Sequence, residues 1–172
     1  GSFTGLRVAA TIARAWLSAC GARVVAVPTL EVIARNALTA DPALAKIAVL
    51  TDARSGRIFA AQYERAGDTL KCVMPAALVE TDAWLATLGA DWTLVGDGIA
   101  KCADAIAARG LATLPAEYWR PDARTVLTLG WQRAVRGEFC SPNEILPAYH
   151  RPPECEEVYE QRRAAARARR GE

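Results

Sequence analysis

The chain has 172 residues, which is long enough for one full domain and part of a second. Its composition, with 52% hydrophobic and 23% charged residues, is typical of a folded protein. Its net charge of +2 is too small to indicate nucleic-acid binding through bulk electrostatics, so any such contact has to be local. Five scattered cysteines indicate reduced thiols, and no apolar run approaches the roughly 20 residues of a membrane span, so we expect a cytoplasmic protein with no membrane contact.

The first twenty residues predict a turn and then a helix. Gly1 to Gly5 form the turn, Leu6 to Cys20 the helix, and Gly21 ends it. One apolar stripe is expected to cover a sheet of its own domain: Leu6, Ala10, Ala13, Leu17 and Cys20. A second stripe is expected to need a partner: Val8, Ile12, Trp16 and Ala19. The alternative is a helix buried on both sides within its own domain.

Residues 1–42 predict the C-terminal part of an α/β unit. A strand is predicted over 22–27 and a helix, capped by Thr29, over 29–38, ending before Asp41-Pro42. The chain begins with Gly inside a turn, so we expect a fragment in which the preceding strands of a first lobe are absent.

Residues 43–140 predict a second unit with the order βββαβαβα. Its strands are predicted over 46–51, 57–64, 69–74, 92–95 and 111–114, and its helices over 81–88, 99–109 and 123–136, the last capped by Asp122. Right-handed crossovers would place helices on both faces of a five-stranded mixed sheet. This is the ribonuclease-H-like unit that actin-like proteins use twice, so we expect an α/β, actin-like two-lobed fold with an incomplete first lobe.

The remaining residues form two segments. Residues 141–153 are proline-rich and are expected to return along the domains in an extended conformation. Residues 154–172 carry glutamates first and arginines last, which predicts a charged surface helix or a frayed tail whose contact with phosphates would be weak.

Few residues suit catalysis. His150 is the single histidine, and no Walker A lysine loop, H-E-x-x-H motif or Ser/His/Asp set can be assembled. We therefore expect no catalytic residue, no metal and no cofactor, which favours a scaffold or partner subunit.

Two loops occupy positions at which actin-like folds contact nucleotides. Asp52 to Gly56 would be the second phosphate loop, and Gly96-Asp97-Gly98 would be the adenosine loop. The first holds only one glycine and suits a plain hairpin turn, and Asp97 suits a helix cap. These residues are interpreted as a vestigial nucleotide site: Asp52, Gly56, Gly96, Asp97 and Gly98.

Four motifs together resemble a known family. Gly1-Ser2-Phe3-Thr4-Gly5-Leu6-Arg7 resembles the end of the G-P-G-S-F-T-G-L-R motif of the TsaB (YeaZ) family of tRNA threonylcarbamoyladenosine biosynthesis. Three further stretches follow in the family's order: Val27 to Glu31, Asp52 to Phe59, and Pro147 to Arg151. The resemblance therefore extends over the chain to Arg151.

The resemblance implies a noncatalytic subunit that binds and activates TsaD, which installs threonylcarbamoyl on N6 of adenosine 37 in ANN-decoding tRNAs. It also implies TsaE as a partner through the complex, an indirect or weak tRNA contact, and a homodimer as another state. The helix after the first motif would pair with TsaD through these residues: Phe3, Thr4, Arg7, Val8, Thr11, Ile12 and Ala15. The alternatives are an actin-like nucleotide-dependent transferase, a metallopeptidase-related enzyme, and a purely structural homodimer.

Overall fold

Five strands form one mixed sheet in the computed structural model, which describes residues 3–53 and 56–147 together with residue 163. The strands are β1 (Lys46–Asp52), β2 (Arg57–Ala66), β3 (Thr69–Glu80), β4 (Trp92–Val95) and β5 (Ala112–Thr113). Their order in the sheet is β3-β2-β1-β4-β5, in which β1, β2 and β3 are antiparallel and β1, β4 and β5 are parallel. The predicted five-stranded mixed sheet is confirmed.

The helices follow the predicted order. They are α1 (Phe3–Cys20), α2 (Thr29–Ala40), α3 (Thr81–Leu85), α4 (Ala103–Ala108) and α5 (Ala123–Val135), with 3-10 turns at Asp97–Lys101 and Ala116–Tyr118. The second unit therefore has the predicted order βββαβαβα. Several bounds differ from prediction. Helix α1 begins at Phe3, inside the predicted turn, β3 continues through Pro75 to Glu80, and α3 ends at Leu85. The helix predicted over 99–109 is a 3-10 turn followed by the shorter α4.

The sheet is covered on both faces. In β1, Ile47 and Val49 lie in a cluster with residues of α2, whereas Ala48 and Leu50 lie in a cluster with residues of α3 and α4. All four side chains are 0% exposed. A strand buried on both faces reads as a continuous apolar run, which is why this stretch could be recognised in the sequence.

Helix α2 belongs to the core of the sheet. Leu30, Ile33, Ala34 and Ala37 pack in the same cluster as the strand residues. The sequence placed this helix in the first lobe, but its apolar face lies on the second unit; the domain boundary at residue 42 stays a prediction. The predicted cap is wrong, because Pro28 occupies the N-cap position and no side-chain cap bond forms.

The segment between α1 and α2 is not a strand. The chain has no regular secondary structure from Gly21 to Pro28, contrary to the predicted strand over 22–27, which has no neighbouring strand to pair with among the described residues. Gly21 ends α1 with a φ of +63°, as predicted. No helix in the described part of the chain combines the length and the apolarity needed to cross a membrane.

A small polar network joins α2 to the start of α5. Asn36, which is 8% exposed, donates to the Arg120 carbonyl at 2.7 Å and accepts from the Thr125 hydroxyl at 2.9 Å. Asp122 caps α5, as predicted, by accepting from the Thr125 backbone amide at 2.9 Å. That hydrogen bond lowers the pKa of Asp122 below its ordinary value, because it favours the charged carboxylate.

Replacing the amide of Asn36 should destabilise the protein. The Asn36→Ala variant leaves the Arg120 carbonyl without its donor and opens a small cavity, so the free energy of unfolding should fall by about 1–3 kcal/mol. Urea denaturation followed by circular dichroism measures the change. The control is Asn143→Ala, at an exposed asparagine, which should leave the midpoint unchanged. Equal midpoints for both variants would contradict a stabilising role for Asn36.

Candidate functional site

The outer surface of α1 is the largest predicted site. Six of the seven predicted partner-binding residues have exposed side chains: Thr4, Arg7, Val8, Thr11, Ile12 and Ala15. Phe3 lies in the helix, but its side chain is outside the described residues. The helix thus presents most of the predicted surface to solvent.

The geometry of α1 divides this set into two groups. At 100° per residue, Val8, Ile12 and Ala15 fall on one apolar stripe, and Thr4, Arg7 and Thr11 fall on the polar side beside it. Trp16 continues the apolar stripe one turn beyond Ile12. We call Val8, Ile12 and Trp16 the outer stripe; they are 52%, 50% and 65% exposed.

The stripe that was predicted to cover a sheet is not buried. Ala10, Ala13 and Leu17 are half-buried, but Leu6 is 46% exposed and Cys20 is exposed. The sheet of the second unit is covered by α2 on one face and by α3 and α4 on the other, and no strand of the predicted first lobe is among the described residues, so the predicted contact of this stripe with a first-lobe sheet stays a prediction. Helix α1 therefore leaves apolar surface exposed on both of its stripes.

The two loops of the predicted nucleotide site meet at the ends of β1 and β4. The Asp97 carboxylate accepts from the backbone amide of Asp52 at 3.2 Å, which ties the loops together. Gly96 has a φ of +124°, and a Cβ there would lie 2.1 Å from the Leu50 carbonyl oxygen. A Cβ at Gly98 would lie 3.1 Å from the same oxygen. Both glycines thus permit close packing against β1, and their part in binding stays a prediction.

A cavity of about 790 Å³ opens beside these loops. Asp52 and Gly56 line it, whereas Gly96, Asp97 and Gly98 do not. Arg54 and Ser55, in the middle of the first loop, are outside the described residues. The cavity therefore brings together only two of the five predicted loop residues.

The cavity is also lined by charged side chains that the sequence analysis did not identify as site residues. Arg57 and Lys101 provide positive charge, and Asp82 and Asp104 join Asp52 in providing negative charge. They come from β2, α3, the 3-10 turn and α4, so no local spacing could have grouped them. Their mixture of charges gives a polar cavity without an excess of cations.

Cys102 also lines the cavity, but its thiol is not set up as a nucleophile. Burial raises its pKa, and its Sγ donates to the Gly98 carbonyl at 3.3 Å. Among the described residues, no group of three His, Cys, Asp or Glu side chains is arranged to hold a metal ion. His150 and the tail over 154–162 and 164–172 are outside the described residues.

A second exposed apolar surface lies on α5 and was not predicted. Leu127, Trp131 and Val135 are 71%, 69% and 71% exposed. Their spacing of four residues was visible in the sequence and could have indicated an apolar face on this helix.

Comparisons with known proteins identify relatives over most of the chain. The family described as "TsaD: tRNA N6-adenosine threonylcarbamoyltransferase" matches residues 1–139. The tRNA threonylcarbamoyladenosine biosynthesis protein TsaB of Escherichia coli (strain K12) is 27% identical over 157 residues, which cover 88% of this chain and 67% of that protein.

Solved structures show the same fold. YeaZ from Pseudomonas aeruginosa aligns with a TM-score of 0.72 at 24% identity, over 87% of this chain and 69% of that chain. A second structure, of a protein described as similar to peptidase YEAZ from Pseudomonas aeruginosa, aligns with a TM-score of 0.71 at 24% identity, over 88% of this chain and 69% of that one. The α/β fold is therefore the actin-like, ribonuclease-H-like fold of YeaZ, as predicted.

Adding a methyl group at Gly96 should destabilise the junction of the two loops. In Gly96→Ala, the new Cβ meets the Leu50 carbonyl and the positive φ becomes strained, so unfolding should become easier by roughly 3 kcal/mol or more. The matched control is Gly130→Ala within α5, where the nearest atom outside the helix backbone, Val27 Cγ2, is 3.8 Å away. That variant should gain about 0.5–1 kcal/mol of stability from helix propensity. Thermal unfolding of both variants checks the difference, and a stable Gly96→Ala protein would refute the packing role.

Proposed function

The chain belongs to the tRNA N6-adenosine threonylcarbamoyltransferase (TsaD) family, as a member of the TsaB (YeaZ) type, and we propose that it is a noncatalytic dimerisation subunit that binds and activates TsaD. Its relatives support a part in tRNA threonylcarbamoyladenosine modification. In this proposal the protein works in the cytoplasm, contacts TsaE through the complex, and touches tRNA only indirectly or weakly.

The observation that carries the proposal is the exposed outer stripe of α1. Val8, Ile12 and Trp16 are at least half exposed and follow one another at intervals of four residues. Fully burying a large apolar side chain is worth about 1.5–3 kcal/mol, so covering half of each would contribute roughly 1 kcal/mol per residue. A complementary helix can recover this free energy by lying along α1, which is how amphipathic helices pair.

The noncatalytic role is inferred from the side chains that the sequence lacks. One histidine and no assembled nucleophile, base or metal set leave few groups for acid, base or metal chemistry. Activation would then be positional: burial of the outer stripe favours the arrangement of TsaD in which its own groups are active.

A charge in the outer stripe should prevent binding to TsaD. Ile12→Asp places a carboxylate where apolar surface has to be buried, and Thr11→Glu places one beside it, so co-purification with tagged TsaD should be lost. The control is Leu146→Asp, at an apolar residue that is 63% exposed and far from α1 in sequence. Circular dichroism should show that all three variants stay folded. Unchanged co-purification of Ile12→Asp would contradict the proposal.

The nucleotide-dependent enzyme remains a second candidate because of the cavity beside Asp52. Arg57 and Lys101 line it and could pair with phosphate oxygens. Isothermal titration with ATP and Mg²⁺ separates the candidates: binding that Lys101→Ala weakens would favour the enzyme, and no heat of binding would favour the partner subunit. A structural homodimer would differ by persisting when TsaD is added.

A further inference from the structure

The turn between β2 and β3 holds two arginine side chains in place. Arg35, on α2, donates from Nη1 to the backbone carbonyl of Asp68 at 2.7 Å. Arg65, near the end of β2, donates from Nε to the backbone carbonyl of Gly67 at 2.8 Å. The two acceptors are consecutive carbonyl groups of one turn. The two guanidinium groups are therefore held beside the same stretch of backbone, although they come from different elements.

Neither guanidinium is neutralised by a carboxylate. Among the described residues, no acidic side chain forms an ion pair with Arg35 or Arg65, in contrast to the pair of Arg133 with Glu31. The hydrogen bonds to the turn use one N–H group of each arginine, and a guanidinium carries several. The other N–H groups of both side chains can therefore donate to a ligand.

Both arginines line the same cavity, which has a volume of about 220 Å³. Thr39, near the end of α2, adds a hydroxyl-bearing side chain to its lining. Asp68 is the one carboxylate among the described residues that line it. Two guanidinium charges against one carboxylate leave the cavity with an excess of positive charge.

Stabilisation of a helix dipole does not explain this arrangement. Cations stabilise a helix in its last turn, and α2 has no basic residue there. Arg35 lies earlier in the helix, and Arg65 lies on a strand. A neutral donor would make the same hydrogen bonds to the turn without placing two like charges near each other, which repel. An anion bound between the two arginines would replace this repulsion with attraction.

We propose that Arg35 and Arg65 form a binding site for a phosphate group. The planar fork of an arginine matches two phosphate oxygens, and charge-assisted hydrogen bonds of this kind are roughly twice as strong as neutral ones. The site lies on the α2 face of the sheet and includes no residue of α1. The inference therefore goes beyond the proposed function and does not depend on the binding of TsaD.

The phosphate can come from an RNA backbone or from a free phosphate compound, and the surroundings favour RNA. Arg35 also lines a second cavity, of about 90 Å³, together with Arg133 and Arg136 of α5. Basic side chains thus continue from the turn, past α2, to the end of α5. Both arginines of α5 are already paired with carboxylates, so an RNA strand would be held at the first cavity and would pass the second.

The first test measures the binding of an RNA stem-loop to the full chain. The double variant Arg35→Gln/Arg65→Gln should raise the Kd for RNA by about tenfold or more, as expected for the loss of hydrogen bonds to a charged group. The dependence of log K on log salt concentration should also become shallower by roughly 0.7–0.9, which is the contribution of one phosphate contact. A purely structural role for the two arginines would not change this slope.

The control removes the same net charge from the other face of the sheet. In Lys101→Gln/Arg109→Gln, both exposed side chains lie on the side covered by α3 and α4, and Arg109 also donates to a backbone carbonyl, that of Ala105, at 3.0 Å. This variant should keep the Kd and the slope of the unchanged protein. Equal losses in both double variants would show that net charge attracts the RNA and would overturn RNA as the ligand of the site.

The second test uses inorganic phosphate as the probe, followed by isothermal titration. Phosphate binding that is lost in Arg35→Gln/Arg65→Gln and kept in the control would support the site, and in the absence of RNA binding it would identify a free phosphate compound as the ligand. No effect of the arginine substitutions on either probe would overturn the proposal. The single variant Arg65→Gln, at an exposed residue, gives the same comparison if circular dichroism shows the double variant to be unfolded. Co-purification with TsaD should be unchanged in every variant, so the proposed function is measured separately.

Discussion

The burial of β1 on both faces is the constraint on which the structure depends. Ile47 to Leu50 are completely covered, and each neighbouring element takes its position from this strand. The backbone of Leu50 restricts what can follow β4, because a Cβ at Gly96 would lie 2.1 Å from its carbonyl oxygen and one at Gly98 would be a tight 3.1 Å away. The end of the same strand then supplies the amide of Asp52 to Asp97. The cavity is thus a consequence of how the core of the sheet ends.

The same burial leaves α1 outside the core of this sheet. A sheet has two faces, and here α2 occupies one while α3 and α4 occupy the other. Helix α1 is joined to α2 by an irregular segment, which is fixed beside α5 by backbone contacts. The outer stripe of α1 thus lies outside the core of this sheet, and it is the surface that the proposed function assigns to the partner.

The parts that could be predicted from the sequence are those with a local cause. The apolar run of β1, the cap at Asp122 and the left-handed Gly21 each follow from a few adjacent residues, and all were predicted correctly. The predicted strand over 22–27 was wrong because its apolar residues had no neighbouring strand among the described residues. The cavity could not be assembled from sequence, since Arg57, Lys101 and Asp104 meet only after the crossover connections bring their elements together. The family motifs identified the chain without locating these contacts.

The charges of the two candidate surfaces favour different ligands. The cavity joins Arg57 and Lys101 with three aspartates, so a triphosphate would meet at least as much repulsion as attraction there. The outer stripe of α1, in contrast, lies in a stretch that carries arginines and no carboxylate before Glu31. Charge of one sign beside exposed apolar surface steers the approach of an oppositely charged surface. The helix therefore has the two features that specific pairing requires, an apolar area to bury and a charge to select the partner, and the cavity has neither in comparable measure.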